Sequence, residues 1–592
     1  MDNTNSALAG KIRLLLMAVV SGFIFACQPV ERPEQLTIKI IETSDVHGAF
    51  FPYDLIEDQP TGHSLAHVSS YVNQERQNPD QVTILLDNGD ILQGDPAVYY
   101  SNFEKTSGTH IAAEMMNFME YDAATVGNHD IEAGHQVYDK LAGEFDFPWL
   151  AANAVRTSSG QPYFQPYTII DVKGVKIAVL GLITPAIPKW LPPQIWEGME
   201  FMDMIESAEY WVDYLKRNEK PDLLIGLFHA GIDHSYGGQT AETPLNENAS
   251  KLVAEQVPGF DVVFVGHDHQ GWNEKITNWA GQPVQILGPT SRARDVAVAE
   301  ITLELNKTTN HYQKQIRGSI VNMETFAPDE AFMEKFGSYF EEVEDYVSKP
   351  ISVLETDIYT RNALFGDAAF TDLIHQAQLE ISDAQISFAA PLSFDKVIEA
   401  GPIEVRDMFK LYRYENLLYT MKLGGQEIHD FLEYSAALWF NTMNESGDHL
   451  LKFEENAAAT GPRLENPYYN FDSAEGIIYT VDVSRPAGER VEIVSMPDGS
   501  PFDVNATYKV AVNSYRGNGG GGHLTAGAKI RSELLSERII ESTEKDLRFY
   551  LMKWIAEKGN LNPQVNFNWQ ILPENWYPDA RKRDRELLFG AP

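Results

Sequence analysis

The chain has 592 residues, too many for one hydrophobic core, so a single-domain protein is excluded and two or more domains are expected. Its 43% apolar content fits ordinary globular folding. Asp and Glu outnumber Lys and Arg by 85 to 46, a formal net charge of -39, which argues against a nucleic-acid polymer bound through a broad phosphate-neutralising surface. A small anionic substrate stays open, because bound metal ions reverse the sign of a local field.

In chain order the first feature is a targeting segment. Lys11 and Arg13 provide a positive flank, and "LLLMAVVSGFIFA" (14–26) is an apolar run too short to span a bilayer comfortably. Cys27, the only cysteine, follows at once. "IFAC" resembles a bacterial lipobox, with Phe25 a less usual residue in its middle. The expectation is a signal peptide over 1–27, cleaved before Cys27 and lipidated there. The product is then exported, periplasmic or at the cell envelope, and meets a membrane only through that anchor. The bland alternative for Cys27 is a buried thiol or chance. A single cysteine rules out an intrachain disulfide, so stability must come from core packing and metal.

Past the linker "VERPEQ", residues 36–325 alternate short apolar runs with amphipathic stretches. "LTIKIIE", "VTILLD", "AATVG", "VKIAVLGLI", "LLIGLF" and "VVFVG" predict buried strands, whereas "THIAAEMMNFMEY" (109–121) and "MIESAEYWVDYLKRN" (204–218) predict helices. Such alternation gives layered α/β architecture. "APDEAFMEKFGSYFEEVEDYVSKP" reads as one acidic helix closed by Pro350, so 326–350 is expected to connect two domains. Residues 351–576 mix helices such as "FTDLIHQAQLEI" with hairpin-like strands around "GIIYTVDVSRP" and "NATYKVAVNSY", a mixed α+β pattern. No internal repeat is evident.

Five of the apolar runs end in polar residues of one chemical kind. "IIETSDVH" ends in Asp45 and His47, "VTILLDNGD" in Asp90, "AATVGNHD" in Asn128 and His129, "LLIGLFH" in His229, and "VVFVGHDH" in His267 and His269. One such tip is ordinarily a turn residue or a cap. Ligand crevices of α/β sheets lie beyond the carboxyl ends of the strands, so strands sharing a sheet would bring these tips together. Neutral imidazoles with carboxylates indicate divalent metal, and the mixed N/O set suits zinc, manganese, iron or cobalt better than calcium. Seven candidate ligands exceed what one tetrahedral ion uses; two ions sharing a bridging carboxylate would engage them all. At Asp45 and His47, side chains two apart leave the strand in the same direction, so an oxygen and a nitrogen can hold one ion.

"SDVHG", "NGD", "GNHD", "FHAG" and "GHDH", in that order, resemble the calcineurin-like metallophosphoesterases. With the second domain the chain looks like the exported 5'-nucleotidase family. "YYNFDSAEGIIYTVDVSRP" and "VNSYRGNGGGG" are most similar to its bifunctional 2',3'-cyclic-nucleotide 2'-phosphodiesterase/3'-nucleotidases. The resemblance implies a four-layer α/β/β/α metallophosphoesterase domain followed by a nucleotide-recognition domain. It also implies one ion on Asp45, His47, Asp90 and His269, a second on Asp90, Asn128, His229 and His267, and Asp90 as the bridge. His129 would sit over the phosphate, stabilising charge or protonating the leaving oxygen. Where the family often has Asp or Asn three residues on, this chain has Glu132, which either orients His129 or is a solvated helix-start residue.

In the second domain Tyr469 and Tyr515 match positions where the family sandwiches a nucleobase. Asn513 and Arg516 could meet ribose or base edges. "GNGGGG" (517–522) lacks the Lys and Ser/Thr of a P-loop and is read as allowing close backbone approach to the substrate. "FAAPLS" (388–393) resembles a loop near the site. The substrate implied is a small nucleotide, with no protein partner evident. The rivals are a 5'-nucleotidase or nucleotide-sugar hydrolase with the same metals, and a catalytically idle nucleotide-binding lipoprotein. Domain rotation about the connecting helix would carry substrate to metal.

Overall fold

The computed structural model describes residues 32–454 and 462–590. The expected signal segment and Cys27 lie outside the described residues. Among the described residues no helix is long and apolar enough to cross a membrane.

The first domain is built on two six-stranded sheets. One contains β1 (Gln35–Thr43), β2 (Val82–Asp87), β3 (Ala123–Thr125) and β4 (Trp149–Leu150); the other contains β5 (Tyr167–Val172), β6 (Val175–Ile183), β7 (Leu223–His229), β8 (Val262–Val265), β9 (Trp272–Thr277) and β10 (Pro283–Gly288). β11 (Asp295–Asn306) and β12 (His311–Asn322) return to the first sheet, giving the orders β12-β11-β1-β2-β3-β4 and β9-β10-β8-β7-β6-β5. The inner strands are parallel, and β6, β7 and β8 are buried almost without interruption, as parallel strands covered on both faces must be.

Ile38, Ile40, Ile84 and Leu86 of one sheet share a core with Ile177, Leu227, Val262 and Phe264 of the other, so the sheets pack face to face. Helices cover the outer faces: α1 (Leu65–Arg76) and α2 (Ile111–Phe118) on the first sheet, α3 (Met204–Asn218) and α4 (Ser250–Gln256) on the second. In α3 the residues Met204, Ala208, Val212 and Leu215 fall on one stripe and are buried. Asp203 caps that helix by accepting N–H bonds from Ile205 and Glu206 at 2.8 and 3.2 Å. This is the α/β/β/α arrangement expected.

α5 (Glu330–Val347) occupies the connecting position, capped by Asp329 and ending before Pro350, which opens the next strand. It is not a free connector. Phe332, Phe336, Val343 and Val347 are buried in the first domain's core, and the Tyr339 hydroxyl donates to the Ala97 carbonyl at 2.7 Å. The same cluster takes in Val405 and Phe409 of the second domain, so the helix packs against both domains.

The second domain centres on a five-stranded sheet of β13 (Ile386–Ala389), β14 (Leu418–Gly424), β15 (Ser473–Glu475), β16 (Thr507–Asn513) and β17 (Ile539–Ser542), in the order β15-β13-β16-β14-β17. α6 (Ala369–Ser382), α7 (Gly425–Trp439) and α8 (Leu547–Lys558) pack around it. Residues 478–482 do form an antiparallel hairpin with 491–495, whereas β16 pairs with distant β14 and β13. Beyond Trp576 the chain continues as α9 (Tyr577–Phe589), with Ala580 and Asp584 fully buried against this domain.

Candidate metal centre

The polar tips converge, but from two sheets. Asp45, His47, Asp90 and Asn128 follow β1, β2 and β3; His229, His267 and His269 follow or end β7 and β8 of the facing sheet. Parallel register sets Thr43 beside Asp87, so the loops that follow run together: the Asp45 N–H donates to Gly89 O and the His47 N–H to Asp90 O, both at 2.9 Å. Asp45, His47, Asp90, His267 and His269 all have positive φ, between 51° and 75°. Five non-glycine residues in that region store strain that surrounding structure must hold, which is characteristic of functional sites.

Asp130, the last residue of "GNHD", supplies much of that hold. Its buried carboxylate accepts backbone N–H bonds from Asp90, Ile91, Leu92 and Gly127 at 2.8 to 3.1 Å. Gly127 is required by space: a Cβ there would lie 2.2 Å from Asp90 Oδ1.

Two groups of ligand atoms result, Asp45 with His47 and His269, and Asp90 with His229 and His267, each within 4.8 Å of one another. Hydrogen bonds fix which imidazole nitrogen is bare. His47 Nδ1 donates to Gln93 O at 2.9 Å and His229 Nδ1 to Asn88 O at 2.5 Å, leaving both Nε2 lone pairs inward. His47 Nε2 then faces His269 Nε2 at 3.0 Å, and His229 Nε2 faces Asn128 Oδ1 at 3.1 Å and Asp90 Oδ2 at 3.2 Å. His267 is turned the other way: Nε2 lies 3.3 Å from Glu247 Oε1, and Nδ1 faces Asn128 Oδ1 at 2.8 Å. Acceptors aimed at acceptors repel unless a cation or a ring proton lies among them. The donor set of imidazole nitrogens and hard oxygens fits divalent ions at both groups.

The electrostatics agree. Burial pushes the Asp45 carboxyl up, but the His269 ring outweighs it and holds the pKa at about 2. Burial opposes charge on His229, yet Asp90 prevails and raises it to about 10. Buried carboxylates kept ionised create a field that calls for positive charge, from protons or from metal.

His129 stands beside this centre, its ring centroid 5.5 Å from that of His47, and its backbone N–H donates to Asp90 Oδ1 at 2.8 Å. Its Nδ1 is hydrogen-bonded to Glu132, so Glu132 is a buried partner and not a solvated helix-start residue. Burial disfavours charge on His129, but Asp90 and then Glu132 overcome it and raise the ring to about 9.

Across the domain boundary Tyr469 and Tyr515 are both half-buried. Tyr236, from the loop after β7, lies near Tyr469, and each phenol, with burial the larger cause, is pushed up from its ordinary pKa. Asn518 Nδ2 donates to the Trp190 carbonyl at 3.4 Å, and the Trp190 ring stacks on His267 with centroids 5.5 Å apart. The second domain thus closes over the metal side.

Two expected substrate contacts are otherwise engaged. Arg516 is fully buried: Nη2 pairs with Asp472 Oδ2 at 2.6 Å and donates to Tyr469 O at 2.9 Å, and Nη1 donates to Gly520 O at 2.6 Å. It ties the Tyr469 and Tyr515 loops together and has no donor left for a ligand's edge. Asn513 caps the turn at Ser514 by accepting the Arg516 N–H at 2.8 Å. The glycine-rich loop also approaches protein, not substrate: a Cβ at Gly521 would lie 2.0 Å from Arg516 Nη1. In "FAAPLS", Phe388 stacks on Phe431 inside the core, centroids 3.9 Å apart. Sequence reasoning missed Glu247, Trp190 and Tyr236, which lie on loops without a periodic signal; Asp130 carried one, being part of "GNHD".

The calcineurin-like phosphoesterase pattern matches residues 38–271, and the 5'-nucleotidase C-terminal domain pattern matches residues 347–528. The chain belongs to the 5'-nucleotidase family with a calcineurin-like phosphoesterase domain. It is a hydrolase of that metallophosphoesterase nucleotidase family. The 2',3'-cyclic-nucleotide 2'-phosphodiesterase/3'-nucleotidase of Yersinia enterocolitica is 24% identical over 95% of this chain and 92% of its own length. The trifunctional nucleotide phosphoesterase protein YfkN of Bacillus subtilis is 29% identical over 95% of this chain; that match spans 41% of YfkN. A 5'-nucleotidase-like protein of Staphylococcus aureus shares the fold, with a TM-score of 0.74 at 22% identity over 90% of this chain and 99% of the other.

Proposed function

We propose that this nucleotidase-family hydrolase is an exported 2',3'-cyclic-nucleotide 2'-phosphodiesterase with 3'-nucleotidase activity, lipid-anchored through Cys27 at the cell envelope, working in nucleotide catabolism. The observation that carries the chemistry is the set of inward imidazole lone pairs facing Asp45, Asp90 and Asn128 oxygens. Asp45, His47, Asp90 and His269 would hold one divalent ion, and Asp90, Asn128, His229 and His267 a second. Such ions supply Lewis acidity toward water and phosphoryl oxygens.

The chain's own groups do the rest. Glu132 fixes Nδ1 of His129, leaving Nε2 to give a proton to the departing ribose oxygen. Asp130 keeps the Asp90 loop in its strained form, so the Asp90 carboxylate is set before substrate arrives. Tyr469 and Tyr515 stack on the base, which tolerates any nucleobase. The 2',3'-cyclic choice rests on the likeness of the second domain's "NSYRG" region and on relatives with that activity.

Product analysis with 2',3'-cyclic AMP, 3'-AMP and 5'-AMP supplied side by side tests this reading. Adenosine should form from the first two by way of 3'-AMP. Faster release from 5'-AMP would mark a 5'-nucleotidase instead, and no turnover of any phosphoester with metal present would leave a nucleotide-binding lipoprotein.

A further inference from the structure

An acidic protein carries a concentrated basic surface at its end. On α9, Arg581, Lys582, Arg585, Glu586 and Phe589 line a groove of about 400 Å³ with Arg361 from the segment Thr360–Phe365. Positions 581, 582, 585, 586 and 589 follow helical spacing, so the groove is one face of the helix. The acid that would cancel it is turned inward: Asp584 is buried, bonded to His449 and accepting the Leu451 N–H at 2.9 Å. Glu586 answers only Lys582, at 3.9 Å, and Asp395 only Arg361, at 3.5 Å. Among the described residues Arg581 and Arg585 have no acidic partner. Arg361 reaches to 5.6 Å from the Phe589 ring, and its buried Nε has no hydrogen-bond partner among the described residues.

The geometry points to a second anion site here, outside the metal centre, for a ligand bearing a phosphate group. Two guanidinium forks one helical turn apart suit the oxygens of a phosphate, each able to give paired N–H bonds. Phe589 supplies an apolar wall for an organic substituent. The volume lies within the range of about 300 to 1,000 Å³ found for small-ligand sites. The source of the phosphate is either a free phosphate species in solution or a phospholipid headgroup, because both present the same oxygens. No residue of this groove belongs to the proposed metal or base sites, so the inference stands whether or not the nucleotide reading does.

The test uses the metal-loaded protein prepared without a lipid anchor (Cys27→Ser), titrated with orthophosphate by calorimetry and, separately, sedimented with phosphatidylcholine vesicles containing phosphatidylglycerol. The Arg581→Glu/Arg585→Glu variant should lose about tenfold or more in affinity for one of the two probes. Turnover of bis-p-nitrophenyl phosphate should be unchanged. Loss in the first arm identifies free phosphate, loss in the second the headgroup. Arg361→Gln, on another element, should reproduce the loss with an unaltered melting midpoint. Binding of both probes that survives these changes would overturn the site.

Discussion

Glu247 Oε1 lies 3.3 Å from His267 Nε2, and this contact turns the opposite nitrogen toward Asn128. Removing the charge while keeping the shape, Glu247→Gln, should weaken metal binding about 10- to 100-fold at the group containing Asp90. A chelator competition titration reads this directly. Unchanged affinity would mean that Trp190 stacking alone orients the ring.

Gly127→Ala should abolish metal retention without unfolding the domain. The added Cβ would meet Asp90 Oδ1 at 2.2 Å and Asp90 N at 2.4 Å, so the Asp90 carboxylate must move. Metal content after gel filtration, with a circular dichroism spectrum as control, checks both halves.

His129→Asn should slow nucleotide hydrolysis by about 100- to 10,000-fold, the usual contribution of a placed acid. The same change should cost far less with a p-nitrophenyl ester, whose leaving oxygen needs no proton. Equal losses on both substrates would assign His129 to charge stabilisation. Glu132→Gln should share the leaving-group dependence at smaller amplitude, since it acts through the ring.

Tyr469→Ala and Tyr515→Ala should each raise KM for nucleotides by roughly 5- to 150-fold, corresponding to about 1 to 3 kcal/mol of stacking. Turnover of bis-p-nitrophenyl phosphate, which lacks a base, should be spared. Arg516→Met differs: it strands Asp472 in the interior and should destabilise the domain by about 3 to 5 kcal/mol, measured by urea unfolding.

His375 gives the second domain an acid-sensitive fold. Burial pushes its pKa down to about 3, and the neutral ring joins Ser387 Oγ at 2.9 Å to Ser473 Oγ at 3.0 Å. The unfolded chain accepts a proton below pH about 6.5 that the folded one refuses until about 3, so stability rises with pH across that window. This ring should contribute a loss of about 1.4 kcal/mol per pH unit on acidification. His375→Gln should flatten that slope in urea titrations between pH 6 and 4, taken as about two units of the window.

Much of this was legible in the residues. The apolar runs ending in Asp45, Asp90, Asn128, His229 and His267 identified both the strands and the chemistry, because an apolar run and the polar residues that close it are local properties of the sequence. Convergence needed more than one sheet: the tips meet only because two sheets pack with their carboxyl ends on the same side. Arg516 shows where local reading misleads, since an arginine beside a candidate tyrosine looks like a ligand contact until Asp472, far back in the chain, is found against it.

The sequence by itself determined which side chains could ligate metal, the order of the strands that carry them, and the two-domain division. The tertiary structure alone decided which nitrogen of each histidine faces inward, what holds the strained Asp90 loop, and that α5 belongs to the first domain's core. Tautomer, strain and docking are set by partners tens to hundreds of residues away, and an apolar pattern with a period of two or 3.6 holds no record of contacts at that distance.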